Sequence, residues 1–362
     1  MQKNKKIILI EPYCDKEQHF KLNAGLVFKY SKLYENIIFI GTESHNNAIN
    51  KVLEERIVNI NYIAIEKIPD NKFIISLTFF YNIFKNNEGD MIFCSINTFH
   101  LSAISILNIY FKRDISILPH AILENSLKIS LKDKLLFFRR FPFWLRIYTL
   151  NRFNKVILLS KSILKNFLIE YKAKEKSCIV LDSPFVHDLN IQDYKFSKKN
   201  LSNDKIKIGF LGIGSKEKGL EWLIEQLNMY DISSNKYEFY LLGKNITMKK
   251  SKNLIEPFDR WIEDDEYEDF INSMHYCIFP FSEQLYKLRA SGTLIEAIKY
   301  RIPIITNNNL YIKNYLLEAK IEYINFSLKE TIVDILARLD NITEEEYFSM
   351  QNTINLYLEN SK

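Results

Sequence analysis

Short apolar segments of strand length alternate along this chain with longer amphipathic segments. A buried parallel strand reads as a short run of Val, Ile, Leu and Phe, and the helix that crosses to the next strand needs a longer amphipathic stretch. The alternation therefore predicts the α/β class with doubly wound parallel sheets. The strand-like runs are 6–10, 36–40, 90–94, 114–118 and 155–159 in the first half, and 205–211, 238–242, 276–280 and 303–306 in the second.

The alternation of strands and helices is interrupted at Asp182-Ser183-Pro184. A polar segment follows to Asp204, and a strand pattern then resumes. A chain of 362 residues is long enough for two domains that each bury a core. We predict two Rossmann-like domains, at 1–188 and 189–345, that face each other across a cleft. Ligands are expected in this cleft, since such sheets bind ligands at the carboxyl ends of their strands. Residues 346–362 are predicted to form a helix that packs back toward the first domain.

Composition excludes several kinds of protein. Hydrophobic residues make up 47% of the chain, while Gly and Pro number only 9 and 8, which is typical of an ordered globular protein. The net charge of +5 comes from lysines spread over the whole length, so no nucleic-acid partner is predicted. The four cysteines are far apart, which favours reduced thiols in a cytosolic protein. No apolar stretch reaches the roughly 18 residues of a membrane span, so any membrane contact is predicted to be peripheral.

A glycine-rich turn follows the strand-like run at 205–211. It contains Gly212, Gly214 and Ser215, and Lys218 precedes the next helix. Glycines let backbone N–H groups approach a phosphate closely, and a lysine adds a positive charge. The segment therefore favours an anion site, although a tight turn without a ligand uses similar residues.

A second polar block begins at Arg289. Ser291 is suited to cap a helix, with Gly292 and Thr293 in its first turn, so unpaired N–H groups would point at an anion such as a diphosphate. Glu296 lies four residues after Gly292, on the same helix face and about 6 Å along the axis, where a carboxylate can accept from ribose hydroxyls. The alternatives are an ordinary exposed carboxylate at Glu296 and a surface ion pair at Arg289.

These two blocks, with Pro303 after the second, resemble the donor-binding half of glycosyltransferase family 4, in particular bacterial polysaccharide enzymes of the GT-B fold. Two further segments, 240–244 and 276–281, fall where that family has a strand ending in Gly and a strand ending in Pro. The segment 156–162 resembles the strand and serine before the family's interdomain linker. The resemblance covers most of the chain and is weak before residue 110.

The resemblance implies a role for each matching residue. Lys218 would contact the donor diphosphate, the amides of residues 291–293 its phosphates, and Glu296 the ribose, while Gly243 and Lys244 would lie near the nucleotide. Lys218, Arg289 and the helix end would stabilise the leaving diphosphate. His120, which follows a strand-like run, would lie beside the transferred sugar, although a structural loop histidine is the alternative.

The implied reaction is sugar transfer from a nucleotide-sugar to a glycan acceptor, with retention at the anomeric carbon. The resemblance points to a lipid-linked surface polysaccharide such as O-antigen or capsule. The sequence has no Asp-x-Asp or His-Glu-x-x-His motif, so no metal and no other cofactor is predicted. The chain departs from the family pattern at Ile213, Leu288 and Arg301. Those departures keep open a non-catalytic GT-B scaffold, and a sugar-nucleotide epimerase on the same fold is the other alternative.

Acceptor contacts are expected in the loop and helix after the first strand. The candidates there are Glu11, His19 and Asn23, and an ordinary surface role is the alternative for each. Basic and aromatic residues are also concentrated at 128–152, which favours peripheral contact with an anionic membrane, against the alternative of a core helix with solvated cations. A location in the cytoplasm, at the inner face of the plasma membrane, follows from that interpretation.

Overall fold

The structure is a computed structural model, and two compact units make it up. The first comprises Met1–Leu189 together with Leu288–Ala290, and the second comprises Asn190–Lys287 and Ser291–Lys362. The residues described are 6–16, 18–54, 56, 59–68, 72–119, 122–126, 140–181, 201, 205–229, 236–257, 264–283 and 286–360.

The first unit is a seven-stranded parallel sheet in the order β3-β2-β1-β4-β5-β6-β7. Ile8 of β1 pairs with Ile38 of β2 on one side and with Met91 of β4 on the other. The strands are β1 (Lys6–Ile10), β2 (Asn36–Gly41), β3 (Ile60–Ala64), β4 (Asp90–Phe93), β5 (Ile115–Ile117), β6 (Asn154–Leu158) and β7 (Cys178–Val180). The helices are α1 (Phe20–Ser31), α2 (Glu43–Leu53), α3 (Phe73–Asn86), α4 (Thr98–Phe111), α5 (Ile122–Ser126), α6 (Phe141–Leu150) and α7 (Lys161–Tyr171), and a 3-10 turn covers Glu175–Ser177.

The second unit is a six-stranded parallel sheet in the order β10-β9-β8-β11-β12-β13. Ile208 of β8 pairs with Phe239 of β9 and with Tyr276 of β11. The strands are β8 (Ile206–Leu211), β9 (Tyr237–Leu242), β10 (Leu254–Ile255), β11 (Tyr276–Phe279), β12 (Ile304–Asn307) and β13 (Tyr323–Phe326). The helices are α8 (Leu220–Met229), α9 (Asp264–Ser273), α10 (Gly292–Lys299), α11 (Leu310–Ala319), α12 (Ile332–Asp340) and α13 (Glu344–Asn360).

Both sheets reverse their strand order beside the first strand, between β1 and β4 and between β8 and β11. The central strands β1 and β8 are almost wholly buried because helices cover both faces, which explains why their residues are mainly apolar. The reversal leaves a crevice at the carboxyl ends of these strands, where doubly wound sheets bind ligands. The prediction of an α/β protein with two Rossmann-like parallel sheets is confirmed.

The last helix, α13, packs on the second sheet. The Tyr347 ring lies edge-on to Tyr276 with centroids 5.3 Å apart, and its hydroxyl donates to the His275 carbonyl at 3.0 Å. Arg301 Nε donates to Asn355 Oδ1 at 3.2 Å. The helix thus belongs to the second unit, and its packing toward the first domain stays a prediction.

All four cysteines are free thiols. Within the described ranges, no helix combines the length and the apolar character needed to cross a membrane.

Candidate active site

Gly212 lies where two side chains of the second unit converge, directly after β8. Its backbone has a φ of +74°, which favours glycine. A Cβ atom at this position would lie 2.7 Å from Thr293 Cγ2 and 3.3 Å from Lys218 Nζ. The fold therefore brings together three residues that the sequence places in two separate blocks.

The glycine-rich turn runs beside the segment that follows β9. The Gly212 N–H donates to the Leu242 carbonyl at 2.7 Å, and the Gly214 N–H donates to the Lys244 carbonyl at 2.9 Å. At Gly243, a Cβ would lie 2.1 Å from the Gly212 carbonyl oxygen. The structure places Gly243 and Lys244 next to the turn, but it corrects one expectation. The amides of Gly212 and Gly214 are used by protein carbonyls, so these glycines contribute space rather than donors to an anion.

Lys218 is half-buried and its loop is held from two sides. Its backbone N–H donates to Ser215 Oγ at 3.3 Å, which gives Ser215 a supporting role. The Ser282 N–H donates to the Glu217 carbonyl at 3.1 Å. Gly219 has a φ of +81°, and a Cβ there would lie 1.9 Å from the Pro280 carbonyl oxygen, so the loop packs tightly on the segment after β11.

Sequence reasoning missed the residues that hold this segment. Asn307 Nδ2 donates to the Phe281 carbonyl at 2.6 Å, and Asn309 Nδ2 donates to the Ser282 carbonyl at 2.8 Å. Both asparagines are fully buried at the carboxyl end of β12. They fix the backbone that in turn contacts the Lys218 loop. The only indication in the sequence is a run of three asparagines directly after a strand, which also suits an ordinary turn.

The amino terminus of α10 is built as the sequence predicts. Ser291 is its N-cap residue, and its Oγ accepts from the Leu294 N–H at 3.3 Å and lies 3.0 Å from Thr293 Oγ1. The N–H groups of Gly292 and Thr293 precede the first bond of the helix ladder, so they have no acceptor within the helix. Among the described residues, no atom outside the helix's own first turn and chain neighbours lies within 4 Å of a Cβ built on Gly292, so there is open space beside this residue.

Glu296 lies one turn further along α10 and is half-buried. Tyr267 of α9 feels the charge of Glu296. The pKa of Tyr267 is raised well above its ordinary value, mainly by burial and to a smaller extent by Glu296. Near these residues, Glu268 ties α9 to α10, because its Oε1 accepts from the Tyr300 hydroxyl at 2.8 Å. Glu296 therefore projects from a helix that is fixed at both ends.

In the first unit, Glu11 and Asn23 are buried, each only 1% exposed. Glu11 Oε1 accepts from the backbone N–H groups of Tyr13 and Cys14 at 3.0 and 3.2 Å and also from the Ser95 hydroxyl. Its second oxygen accepts from Asn23 Nδ2 at 3.2 Å. These contacts hold the loop after β1, so an acceptor role for the two side chains stays a prediction that the burial does not favour.

The same network continues from Asn23 to His45. Asn23 Nδ2 lies 2.9 Å from His45 Nε2, and His45 Nδ1 lies 2.9 Å from the Lys16 carbonyl. The Asn23 amide nitrogen can only donate and the Lys16 carbonyl can only accept. His45 Nε2 is therefore the acceptor, and His45 Nδ1 carries the proton that it donates. His19, by contrast, is exposed at the start of α1 with a φ of +54°.

The sequence also predicts Arg289 and His120 as site residues. Arg289 belongs to the first unit, in the segment Leu288–Ala290, whereas Lys218 belongs to the second. Its neighbour Leu288, in the same unit, donates its backbone N–H to Glu124 Oε2 at 2.9 Å. His120 lies outside the described residues, and so do residues 128–139 of the basic and aromatic segment 128–152.

Comparison with known proteins gives few sequence relatives and many structural ones. No family model matches the chain. An uncharacterised 41.2 kDa protein of the cps region of Klebsiella pneumoniae is 25% identical over 116 residues, which are 32% of this chain and 31% of that protein. The match thus spans about a third of the relative's length.

Solved structures match over nearly the whole chain. The HepE protein of Anabaena, crystallised with UDP-glucose, has a TM-score of 0.64 at 12% identity and covers 98% of this chain and 94% of its own. WaaG, a glycosyltransferase involved in lipopolysaccharide biosynthesis, has a TM-score of 0.57 at 11% identity, with coverage of 99% and 95%. A putative UDP-N-acetylglucosamine 2-epimerase of Listeria monocytogenes has a TM-score of 0.57 at 10% identity, with coverage of 98% and 92%. The predicted GT-B fold is confirmed, and membership of glycosyltransferase family 4 stays a prediction.

Proposed function

We propose that this chain is a glycosyltransferase that takes a sugar from a nucleotide-sugar held by the second unit. The observation that carries the proposal is the convergence of Lys218 Nζ and Thr293 on Gly212, beside the amino terminus of α10. A lysine, a hydroxyl and free helix amides form a donor set suited to a diphosphate.

The same groups account for catalysis without a metal. Cleavage of the sugar–phosphate bond leaves negative charge on the departing diphosphate, and fixed cations and helix dipoles stabilise that charge as it develops. Lys218 supplies one cation, and Arg289 supplies a second in place of the arginine that the resembled family has where this chain has Ile213. Holding the donor and the acceptor close together in a fixed orientation supplies the remaining rate enhancement. The proposed outcome at the anomeric carbon is retention.

The remaining donor contacts follow from position. The amides at the start of α10 bind the phosphates, Glu296 accepts from the ribose, and Gly243 with Lys244 borders the nucleotide. Uridine nucleotides are the first to test, because structures of the HepE neighbour contain UDP and UDP-glucose. His120 is proposed to lie beside the transferred sugar.

The proposed acceptor is a glycan, and more narrowly a lipid-linked surface polysaccharide such as O-antigen or capsule. Support comes from the cps-region relative and from the lipopolysaccharide role stated for WaaG. The proposed place of action is the inner face of the plasma membrane, with 128–152 in contact with lipid.

Proton NMR of the anomeric region tests the reaction class. The purified protein is incubated with UDP-glucose, UDP-N-acetylglucosamine, GDP-mannose or ADP-glucose, with and without a lipid-linked glycan fraction. We expect one donor to lose its anomeric signal, with release of the nucleoside diphosphate, much faster when the acceptor fraction is present. Equal and negligible turnover with every donor and acceptor would contradict the proposal.

A sugar-nucleotide epimerase is the second candidate, because the Listeria neighbour has the same fold. The same spectra separate the two reactions. An epimerase converts one anomeric signal into that of another nucleotide-sugar or frees the altered sugar, and it needs no acceptor.

A further inference from the structure

The two faces of the first sheet carry very different outer surfaces. From β1 to β3 the chain moves toward one edge of the sheet, and α1 and α2 make these connections. From β3 to β6 it moves toward the opposite edge, and these connections contain α3, α4 and α6. Right-handed crossovers therefore place the two groups of helices on opposite faces. α1 packs beside α2, whereas α3 packs beside α4 and α4 beside α6.

Large apolar side chains project outward from the second group only. Exposed positions on α1 and α2 are occupied by lysine, asparagine and glutamate, and no large apolar residue of these two described helices is exposed. We call the outward surface of α3, α4 and α6 the α3–α4–α6 face. It exposes Ile74 (76%), Tyr81 (43%), Ile106 (39%), Ile109 (65%), Tyr110 (81%) and Leu150 (72%).

These residues form one continuous surface. On α4, Ile106, Ile109 and Tyr110 are spaced at i, i+3 and i+4, so they lie on one side of the helix. Tyr81 of α3 lies against Phe111 of α4, with ring centroids 5.9 Å apart. Asn151, directly after α6, donates to the Asn108 carbonyl at 3.3 Å, which brings the carboxyl ends of α4 and α6 together.

The charge around this face is mainly positive. The three helices contain no Asp or Glu, and their only charged residues are Lys85 and Arg146. Lys112, Arg113 and Arg152 follow directly after α4 and α6, while Glu88 and Asp114 are the exposed acids at the helix ends. A broad apolar surface edged by cations suits a bilayer that contains anionic lipids, and tyrosine suits the depth of the headgroups.

The geometry points to the α3–α4–α6 face as a docking surface for an anionic lipid bilayer. A second copy of the chain fits less well, because the cations on and beside these helices outnumber Glu88 and Asp114, so an isologous contact would bring like charges together. The inference extends the lipid contact proposed above for 128–152, which includes α6, and it does not depend on sugar transfer.

Co-sedimentation with vesicles tests this surface. Vesicles of phosphatidylcholine alone are compared with vesicles that also contain phosphatidylglycerol. The wild-type protein should bind the mixed vesicles and bind phosphatidylcholine far less, and added salt should weaken the binding. Ile109→Ser with Tyr110→Ser should lower the partition coefficient at least about tenfold, since each removes an inserted side chain.

Matched variants isolate the face from general surface effects. Ile246→Ser with Met248→Ser changes two residues of the second unit that are 59% and 100% exposed, and it should leave binding unchanged. Lys85→Gln with Arg146→Gln should weaken binding to mixed vesicles, whereas Lys21→Gln with Lys29→Gln, on α1 of the opposite face, should have a smaller effect. Thermal unfolding of each variant checks that the fold is kept.

Three results would overturn the inference. The first is absence of wild-type binding to mixed vesicles at low salt. The second is equal loss of binding in the serine variant of α4 and in the variant of residues 246 and 248. The third is that light scattering shows the wild type to be a dimer and the α4 variant to be a monomer, while neither binds vesicles. That result would assign this face to self-association.

Discussion

His100 is a buried side chain that must stay neutral for the protein to remain folded. It lies on α4 with no exposed surface, stacks on Tyr13 with centroids 4.6 Å apart, and meets the Phe80 ring edge-on at 5.0 Å. Neither ring nitrogen has a hydrogen-bond partner among the described residues. Burial lowers the pKa of His100 to about 3, so the folded protein holds this ring neutral.

That lowered pKa predicts a loss of stability in acid. The unfolded chain binds a proton at His100 near pH ~6.5, whereas the folded protein does so only near pH 3. The free energy of unfolding should therefore fall as the pH drops through this window, by up to ~1.4 kcal/mol per pH unit, and His100 should have no effect at higher pH. His100→Phe keeps the ring contacts and removes the titration. Urea unfolding at several pH values should give a shallower slope for the variant, and an identical slope would contradict this role.

Residues at the strand ends also show where sequence reasoning stops. Glu11 follows β1 as a catalytic or binding residue would, yet it is buried and accepts two backbone amides of its own loop. Asn307 and Asn309 look like turn residues, yet they hold the backbone beside the Lys218 loop. Residue type and spacing indicate which strand end a side chain occupies. They do not tell whether it points to the ligand crevice or into the protein, because long-range contacts decide that.

At the level of elements, sequence periodicity predicts the central strands and misses the edges. The strands that no apolar run predicts are β3, β7, β10 and β13, and each is the outermost strand of its sheet. Edge strands are partly exposed, as the burial of β3 and β13 shows, so their side chains need not be apolar. The buried central strands β1, β2, β8 and β11 carry the clear pattern, and β8 and β11 are followed by the segments that position the Lys218 loop.

Two helix caps of similar chemistry allow the α10 terminus to be tested. Ser291 caps α10 and Thr331 caps α12 through a capping box with Asp334. Ser291→Ala and Thr331→Ala should each lower the free energy of unfolding by ~1 kcal/mol, because each leaves a helix N–H without its acceptor. Only Ser291→Ala should also weaken UDP binding, since only α10 faces Lys218.

Urea unfolding and calorimetric titration with UDP measure these two effects. Equal affinities for UDP in the two variants would remove the α10 terminus from the proposed donor site. A loss in Thr331→Ala as large as in Ser291→Ala would show that general destabilisation causes the change.

At the scale of the whole molecule, each compact unit has its own distinctive surface. The second unit carries the cluster of Gly212, Lys218 and Thr293 at the carboxyl end of β8, and the first carries the apolar α3–α4–α6 face. The GT-B fold was predictable because its strand rhythm and glycine turns are local features of the sequence. The apolar face was not, because a hydrophobic helix residue reads as core until the packing shows which side of the helix is covered.

Nucleotide binding by the second unit is the central claim, and two lysines of one loop test it most directly. Lys218 is half-buried with its Nζ at Gly212, whereas Lys216 is exposed two residues earlier. Calorimetric titration with UDP should show binding to the wild type and an affinity at least about tenfold lower in Lys218→Ala, because a charge-assisted contact is lost. Lys216→Ala, which removes the same charge from solvent, should stay within about twofold of the wild type. Equal losses in both variants, or no binding of UDP, GDP or ADP to the wild type, would contradict the account.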